Sequence, residues 1–356
     1  MNTKNHNQKK TRLRWDKKKF SLRIGTAITS AWRLGVQLGF VLTSIILGLM
    51  FANFVGAALS TTQGNLPERP PGVEGYLPIS GFMGLVDWIR QGELNEVHPA
   101  ATVLFILFIL LSLLLRKSFC GWICPVGFFS EWLARIGQLI FKRNFRLPDW
   151  LDFSLRIIKY FLLAFFAWAI LNMSADSLRD FIQSPYNKIS DVKMGMFFLQ
   201  MSGVAIGILI SLAILSILIH SFWCRYLCPY GALMGLFSWM SPVKVRRDPV
   251  ACTDCGICEK VCPARLPVDT KLRIIDPECI GCGDCVTSCP VPTALEIGVK
   301  KQALSPFQIA VMTLFIFFVG YFGARSLGIW QNNLSSDDVR YHINHMDGEE
   351  YGHPGR

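Results

Sequence analysis

The sequence predicts an α-helical integral membrane protein of about five transmembrane helices that carries a small, cysteine-rich α+β domain. Three observations lead there. Of 356 residues, 51% are hydrophobic and only 17% charged, with a mean hydropathy of +0.36, so the average residue prefers an apolar medium. Long apolar runs recur along the chain, and the composition is neither that of a disordered protein nor that of a collagen-like one. Twelve cysteines fall in short clusters, which points to metal ligation and away from a scattered disulfide framework.

Five stretches, near 34 to 59, 99 to 115, 157 to 174, 196 to 222 and 306 to 328, are apolar enough to be spans. A hydrocarbon layer of roughly 30 Å takes about 20 helical residues. The stretches are uniformly apolar, not alternating, and in lipid only helices or closed barrels satisfy their own backbone, so helices are expected. Lys159, near one end, is expected to snorkel towards water. Gly35 with Gly39, and Gly203 with Gly207, are four apart and suit close helix contact, although glycine is common in membrane helices in any case.

A formal net charge of +11 suggests nucleic acid until its distribution is read. With the N-terminus inside, 28 of the 36 Lys and Arg fall in inner segments and 8 in outer ones, the bias that cytoplasmic loops carry. No nucleic-acid partner is expected. The expected location is the cytoplasmic (inner) membrane, multi-pass, with the N-terminus and the cysteine-rich domain inside and the C-terminal tail outside. The basic leader is too long for a cleaved signal peptide, and Leu13 separates Arg12 from Arg14, so the first helix reads as a retained anchor. In the outer loop from Ser60 to His98, the stretch PERPPGVEGYLP precedes Gly81 to Ile89, which is expected to lie on the bilayer surface. The expected division is a basic segment (1–33), a four-helix membrane domain (34–240), the double cysteine run (241–304), a fifth helix (305–330) and a polar tail (331–356).

An element C-x3-C-P-x-G follows an apolar span twice, in SFCGWICPVGFFSEWLARIGQLIFK and SFWCRYLCPYGALMGLFSWM, and both cysteines recur 104 residues later. Each element ends an out-and-back helix pair, so the halves share one orientation, as parallel repeats do. Pro125 and Pro229 suit the first turn of a following interfacial helix, with Phe128, Trp132, Leu133 and Ile136 on its apolar face. Cys120 with Cys124, and Cys224 with Cys228, would share a helix face about 5 to 6 Å apart if helical. If the repeat brings the pairs together they form a four-thiolate site for an additional cluster or another soft-ligand metal. A thiol redox pair, or small buried residues, are the alternatives.

Between Arg246 and Lys301 stand CTDCGICEKVCP and CIGCGDCVTSCP, each C-x2-C-x2-C-x3-C-P. This is the run of bacterial two-cluster ferredoxins, in which three cysteines of one run and the fourth of the other hold each 4Fe-4S cluster. One cluster is expected on Cys252, Cys255, Cys258 and Cys289, the other on Cys279, Cys282, Cys285 and Cys262. Gly256, Gly281 and Gly283 let the backbone turn close to sulfur, and Pro263 and Pro290 redirect the chain afterwards. Zinc sites also use four cysteines, but the closing Cys-Pro of both runs favours iron and sulfur.

On all twelve cysteines, over roughly residues 34 to 300, the chain resembles the membrane-bound polyferredoxins of the NapH and MauN type, quinol dehydrogenase components of periplasmic reductase systems. The fifth helix and the segments PPGVEGYLPISG and WCRYLCPYGALMG look closer to the YccM-type electron-transport proteins. The resemblance implies two 4Fe-4S clusters, quinol as substrate, and a redox partner (a reductase, ferredoxin or cytochrome) in an anaerobic respiratory chain. A cytoplasm-facing iron-sulfur reductase or assembly factor, or an anchor for another redox protein, would use the same motifs.

No catalytic residue is identified from the sequence. Quinol oxidation needs a proton acceptor, for which His98 and Glu74 are candidates. The plainer reading of His98, before Pro99 at a helix start, is an interfacial residue, and His220 is similar. No two membrane histidines stand at haem-ligand spacing on one helix, so no b-type haem is expected. His342 and His345 suit a metal in the tail, but a solvated role in a polar segment is the plainer one.

Overall fold

A computed structural model describes residues 31–60, 66–142, 145–291, 293–300 and 302–352. The basic leader, with Arg12 and Arg14, lies outside the described residues. In chain order the helices are α1 (Ala31–Ser60), α2 (Pro78–Gln91), α3 (Pro99–Leu115), α4 (Pro125–Phe141), α5 (Asp149–Leu171), α6 (Ala175–Gln183), α7 (Pro185–Lys188), α8 (Ser190–Leu199), α9 (Gly203–Leu218) and α10 (Pro229–Met240). Then come strand β1 (Val243–Arg247), α11 (Ile257–Val261), β2 (Arg273–Ile274), α12 (Asp284–Thr287), β3 (Leu295–Val299), β4 (Gln302–Ala303), α13 (Pro306–Ser326) and α14 (Ser336–Asn344).

Helices α1, α5 and α13 are each long and apolar enough to cross a membrane, and α8 with α9 makes a fourth candidate bent by 80°. The apolar α3 has 17 residues. Large apolar side chains point outward along these helices, among them Leu49, Phe161, Trp168, Val204 and Phe315, as a lipid solvent demands and water forbids.

Several expectations are corrected here. Helix α5 starts eight residues before the expected span, because its first turns are polar: Asp149 and Asp152 sit at its N-terminus, where carboxylates suit the helix dipole. The stretch expected as one span from 196 to 222 is broken at Gln200–Ser202, where the Ser202 hydroxyl accepts a hydrogen bond from the Ala205 amide at 3.3 Å and caps α9. Lys159 does not snorkel; it is fully buried, its ammonium 5.4 Å from the ring centre of Tyr160. No atom approaches within 4 Å of a Cβ built on Gly35, Gly39, Gly203 or Gly207, so neither glycine pair marks a close contact.

The chain divides into two compact units, one of residues 1–39, 111–156 and 213–314, the other of 40–110, 157–212 and 315–356. Each of the five changes of unit falls inside one of the apolar helices α1, α3, α5, α9 and α13. The first unit holds all twelve cysteines. It contains an antiparallel four-stranded sheet in the order β2-β1-β3-β4, with Val245 opposite Ile274 on one side and Ile297 on the other. Alternation buries Val243, Val245, Leu295 and Ile297, the period-two pattern of a sheet covered on one face. Helices α11 and α12 are the short helices of the two cysteine runs.

The second unit is built around two apolar clusters. One joins Phe51, Phe54 and Val55 of α1 to Ile189, Val192, Val339, Ile343 and Tyr351. The other joins Met83 and Val86 of α2 to Val97, Ile170, Leu178 and Ile182. The tail is therefore packed, not merely solvated: Ile343 and Tyr351 are fully buried. The segment expected on the bilayer surface forms part of α2, which exposes Ile79, Trp88 and Ile89.

Glycine is demanded at Gly281, where φ is +63° and an added Cβ would lie 2.9 Å from the Leu115 carbonyl oxygen. Gly281→Ala is expected to cost about 1–3 kcal/mol in chemical unfolding in detergent, while Gly35→Ala stays within about 0.5 kcal/mol.

Candidate metal centres

The two C-x3-C-P elements fold alike. After α3 and α9 the chain passes through a left-handed residue, Arg116 and Ser221 respectively. A single π-helical turn follows, Phe119–Ile123 in the first copy and Trp223–Leu227 in the second. The amide of Cys124 bonds to the Phe119 carbonyl at 2.9 Å, and that of Cys228 to Trp223 at 3.0 Å. The cysteine pairs thus do not share an α-helical face, as the spacing suggested. The second cysteine of each is extended and caps the next helix, which opens on Pro125 or Pro229. Such π turns recur at functional sites.

The repeat brings the four thiols together. Cys224 lies within electrostatic range of Cys228, Cys124 and Cys120. The Gly231 amide donates to Cys228 Sγ at 3.2 Å, and the amides of Gly127 and Val126 donate to Cys124. Two helix N-termini therefore point N–H groups at sulfur, which favours an anionic occupant. Burial pushes the Cys120 thiol up to about 12, against the pull of Lys117, and Cys124 up to about 11.

In the double run, Cys252, Cys255, Cys258 and Cys289 line one cavity with Gly256, Ile257, Pro290 and Leu295, of about 370 Å³ including its open mouth. The backbone at Gly256 is left-handed at the start of α11, which turns Cys255 and Cys258 towards one space. The second set is more enclosed: Cys262, Cys282 and Cys285 are buried and Cys279 half-buried. Cys285 lies within electrostatic range of Cys262 and Cys279, and Cys282 of Cys285 and Cys262. Burial pushes Cys258 up to about 11 and Cys262 up to about 12, and raises Cys282 and Cys285 as well.

These donor sets fit iron-sulfur clusters. All are four-thiol sets, and buried thiols shed their protons only when cationic metal replaces them. A cube spreads its ligands around a body larger than a single ion, as the cavity beside Cys252 and Cys289 allows.

Three side chains that the sequence reading passed over organise this unit. Arg33, at the start of α1, is buried and pairs with Glu131 of α4 at 2.6 Å and Asp284 of α12 at 2.5 Å. Burial opposes the charge on Glu131, but Arg33 and Arg135 outweigh it and hold its carboxyl low. The signal available in sequence was a lone arginine at the edge of an apolar helix.

His98 and Glu74 are buried together in the second unit, Nδ1 to Oε1 at 3.3 Å. His98 Nε2 lies 2.7 Å from the Asn187 carbonyl, and Glu74 accepts from the Ala101 amide at 3.0 Å. His98 is thus a core residue, not a surface one. His220 is buried beside Ser221, and burial brings it down to about 4, so it is neutral. His342 contacts Tyr351 Oη at 2.8 Å and His345 stacks on Tyr341.

A family profile described as a 4Fe-4S binding domain matches residues 97–148 and again 201–248, one match on each C-x3-C-P element. A second, described as a 4Fe-4S dicluster domain, matches residues 244–303. YccM of Escherichia coli (strain K12), whose name assigns it provisionally to electron transport, is 42% identical over 320 residues, 87% of this chain and 89% of its own. The methylamine utilization ferredoxin-type protein MauN of Methylorubrum extorquens is 26% identical over 249 residues, 65% of this chain and 78% of its own. The ferredoxin-type protein NapH of Haemophilus influenzae is 25% identical over 209 residues, 55% and 66%. No solved structure matches. The chain belongs to this family of membrane-associated, ferredoxin-type 4Fe-4S electron-transport proteins.

In metal-free protein the raised thiols are expected to alkylate slowly at neutral pH. The rate at Cys262 should climb about tenfold per pH unit past pH 10, measured by mass spectrometry of iodoacetamide adducts. A plateau near pH 8.5, the range of a free cysteine, would contradict the burial.

Proposed function

We propose that the protein oxidises quinol in the membrane and relays the electrons through 4Fe-4S clusters to a partner redox protein of an anaerobic respiratory chain. The observation that carries this reading is the gathering of all twelve cysteines into one unit of a chain with several apolar helices. In this reading Cys252, Cys255, Cys258 and Cys289 hold one cluster, and Cys262, Cys279, Cys282 and Cys285 the second. Cys120, Cys124, Cys224 and Cys228 hold an additional centre. A 4Fe-4S cluster, when bound, takes up and gives back one electron at a time, at a potential set by charge, hydrogen bonds and exposure.

In this reading the chain crosses the membrane five times, with the N-terminus and the ferredoxin-like domain (241–304) inside, after a four-helix domain (34–240), and the tail outside. The inner excess of Lys and Arg supports that path. Quinol releases two protons with its two electrons, and the buried His98 and Glu74 pair is the candidate acceptor. The names of the ferredoxin-type relatives support the electron-transfer role, and the quinol pool and partner follow from the resemblance.

The test is anaerobic. Purified protein in liposomes is given reduced quinol, and cluster reduction is followed by EPR and visible bleaching. Reduction by quinol, and not by quinone, is expected. Reduction by dithionite alone would favour a cytoplasm-facing reductase or assembly factor, in which electrons enter from the inner side. Replacing all four cysteines of any one set by Ser is expected to remove about four irons per chain, read by iron analysis.

A further inference from the structure

Of the positions at which the two cysteine runs differ, one is buried in both. Gly256 is followed by Ile257, whereas the equivalent Gly283 is followed by Asp284, and both side chains are buried. A carboxylate there is costly unless it is paired. Arg33 supplies the partner, with Nη1 2.5 Å from Asp284 Oδ2 and both terminal nitrogens on Glu131. Its Nε donates to the Gly121 carbonyl at 2.9 Å, which also accepts from Gln37 at 3.1 Å.

Position gives this guanidinium its meaning. Gly121 lies between Cys120 and Cys124, and Asp284 lies between Cys282 and Cys285. One cation, 1% exposed, therefore touches two cysteine sites at once. The sites abut elsewhere too: Trp122 Nε1 donates to the Gly281 carbonyl at 3.3 Å, and Lys117 Nζ lies 3.4 Å from Glu278. A Cβ on Gly121 would come within 2.7 Å of the Ile280 carbonyl oxygen. At the Cys252 set the nearby cation is Arg247, which is half-buried and shares its charge with the exposed Asp254.

We infer that Arg33 is a positioning residue shared by the Cys120/Cys124/Cys224/Cys228 site and the Cys262/Cys279/Cys282/Cys285 site, and that its desolvated charge raises the reduction potential of the latter. This rests on the proposed cluster assignment. A fixed positive charge in a poorly screened interior stabilises the added electron more than the same charge in water does, and a charge near the sulfurs is one of the levers that set cluster potentials. The fork of the guanidinium also fixes the separation of the two sites, because it grips a carbonyl of one and a carboxylate of the other.

The experiment is EPR-monitored redox titration of the full-length protein in detergent, with each cluster's signal assigned by its loss in a Cys→Ser variant. In Arg33→Gln the midpoint of the Cys282 cluster is expected to fall by about tenfold in its reduction constant, 59 mV for one electron, with the Cys252 cluster unmoved. Arg33→Lys should recover part of the shift. Asp284→Asn, which keeps the cation and removes one of its two anions, should move the same midpoint upward. Equal shifts in both clusters, or no shift in Arg33→Gln and Asp284→Asn at unchanged iron content, would overturn the inference. Should Arg33→Gln not assemble, the sign of the Asp284→Asn shift decides. Absence of iron from the parent protein would instead overturn the cluster assignment itself.

Discussion

A desolvated ion costs several kcal/mol unless an opposite charge and hydrogen bonds surround it, and this chain buries many. Arg33 meets Glu131 and Asp284. Asp152, at the start of α5, accepts from Arg225 Nε at 2.8 Å and from Tyr226 Oη at 2.5 Å, and is also paired with Arg156. Arg69 pairs with Asp191 at 2.6 Å, and His98 with Glu74. Most of these bonds join segments far apart in sequence, so charge neutralisation dictates which loops meet. The thiols obey the same constraint: buried and protonated they are tolerable, and as thiolates they require iron.

The internal repeat is a way of meeting that constraint twice with one device. A left-handed residue, a π turn and a proline-led helix place two sulfurs at a helix N-terminus, and the second copy repeats the geometry. Neither copy alone has four thiols. Each would supply half of the proposed ligand set, with amides from Val126, Gly127 and Gly231 already directed at sulfur. In the double run the proposed crossing is reciprocal: with Cys262 in the later set and Cys289 in the earlier one, neither arm would form its site alone.

Much of this was legible in the sequence, because hydropathy and cysteine spacing are local signals. The apolar stretches and the cysteine motifs were readable. The polar first turns of α5 were not, because a hydropathy window sees Asp149 and Asp152 as loop, and the partner of Asp152, Arg225, lies 73 residues away. The 80° break before α9 turns on one serine cap. Lys159 looked like a snorkelling residue because sequence carries no record of what covers it. Arg33 is the extreme case: its charge was counted only as part of a basic leader, while its partners stand 98 and 251 residues further on.

That separation has a temporal side. Synthesis at roughly 5 to 20 residues per second leaves about 10 to 50 seconds between the emergence of Arg33 and that of Asp284. Over the same interval Cys120 and Cys124 wait for Cys224 and Cys228, and α1 already has an apolar length fit to enter lipid. The cysteine-bearing unit is therefore completed late: its first four cysteines are all present only at Cys228, and those of the double run only at Cys289. With the proposed crossing, a chain truncated before Cys285 would lack a complete four-cysteine set in the double run.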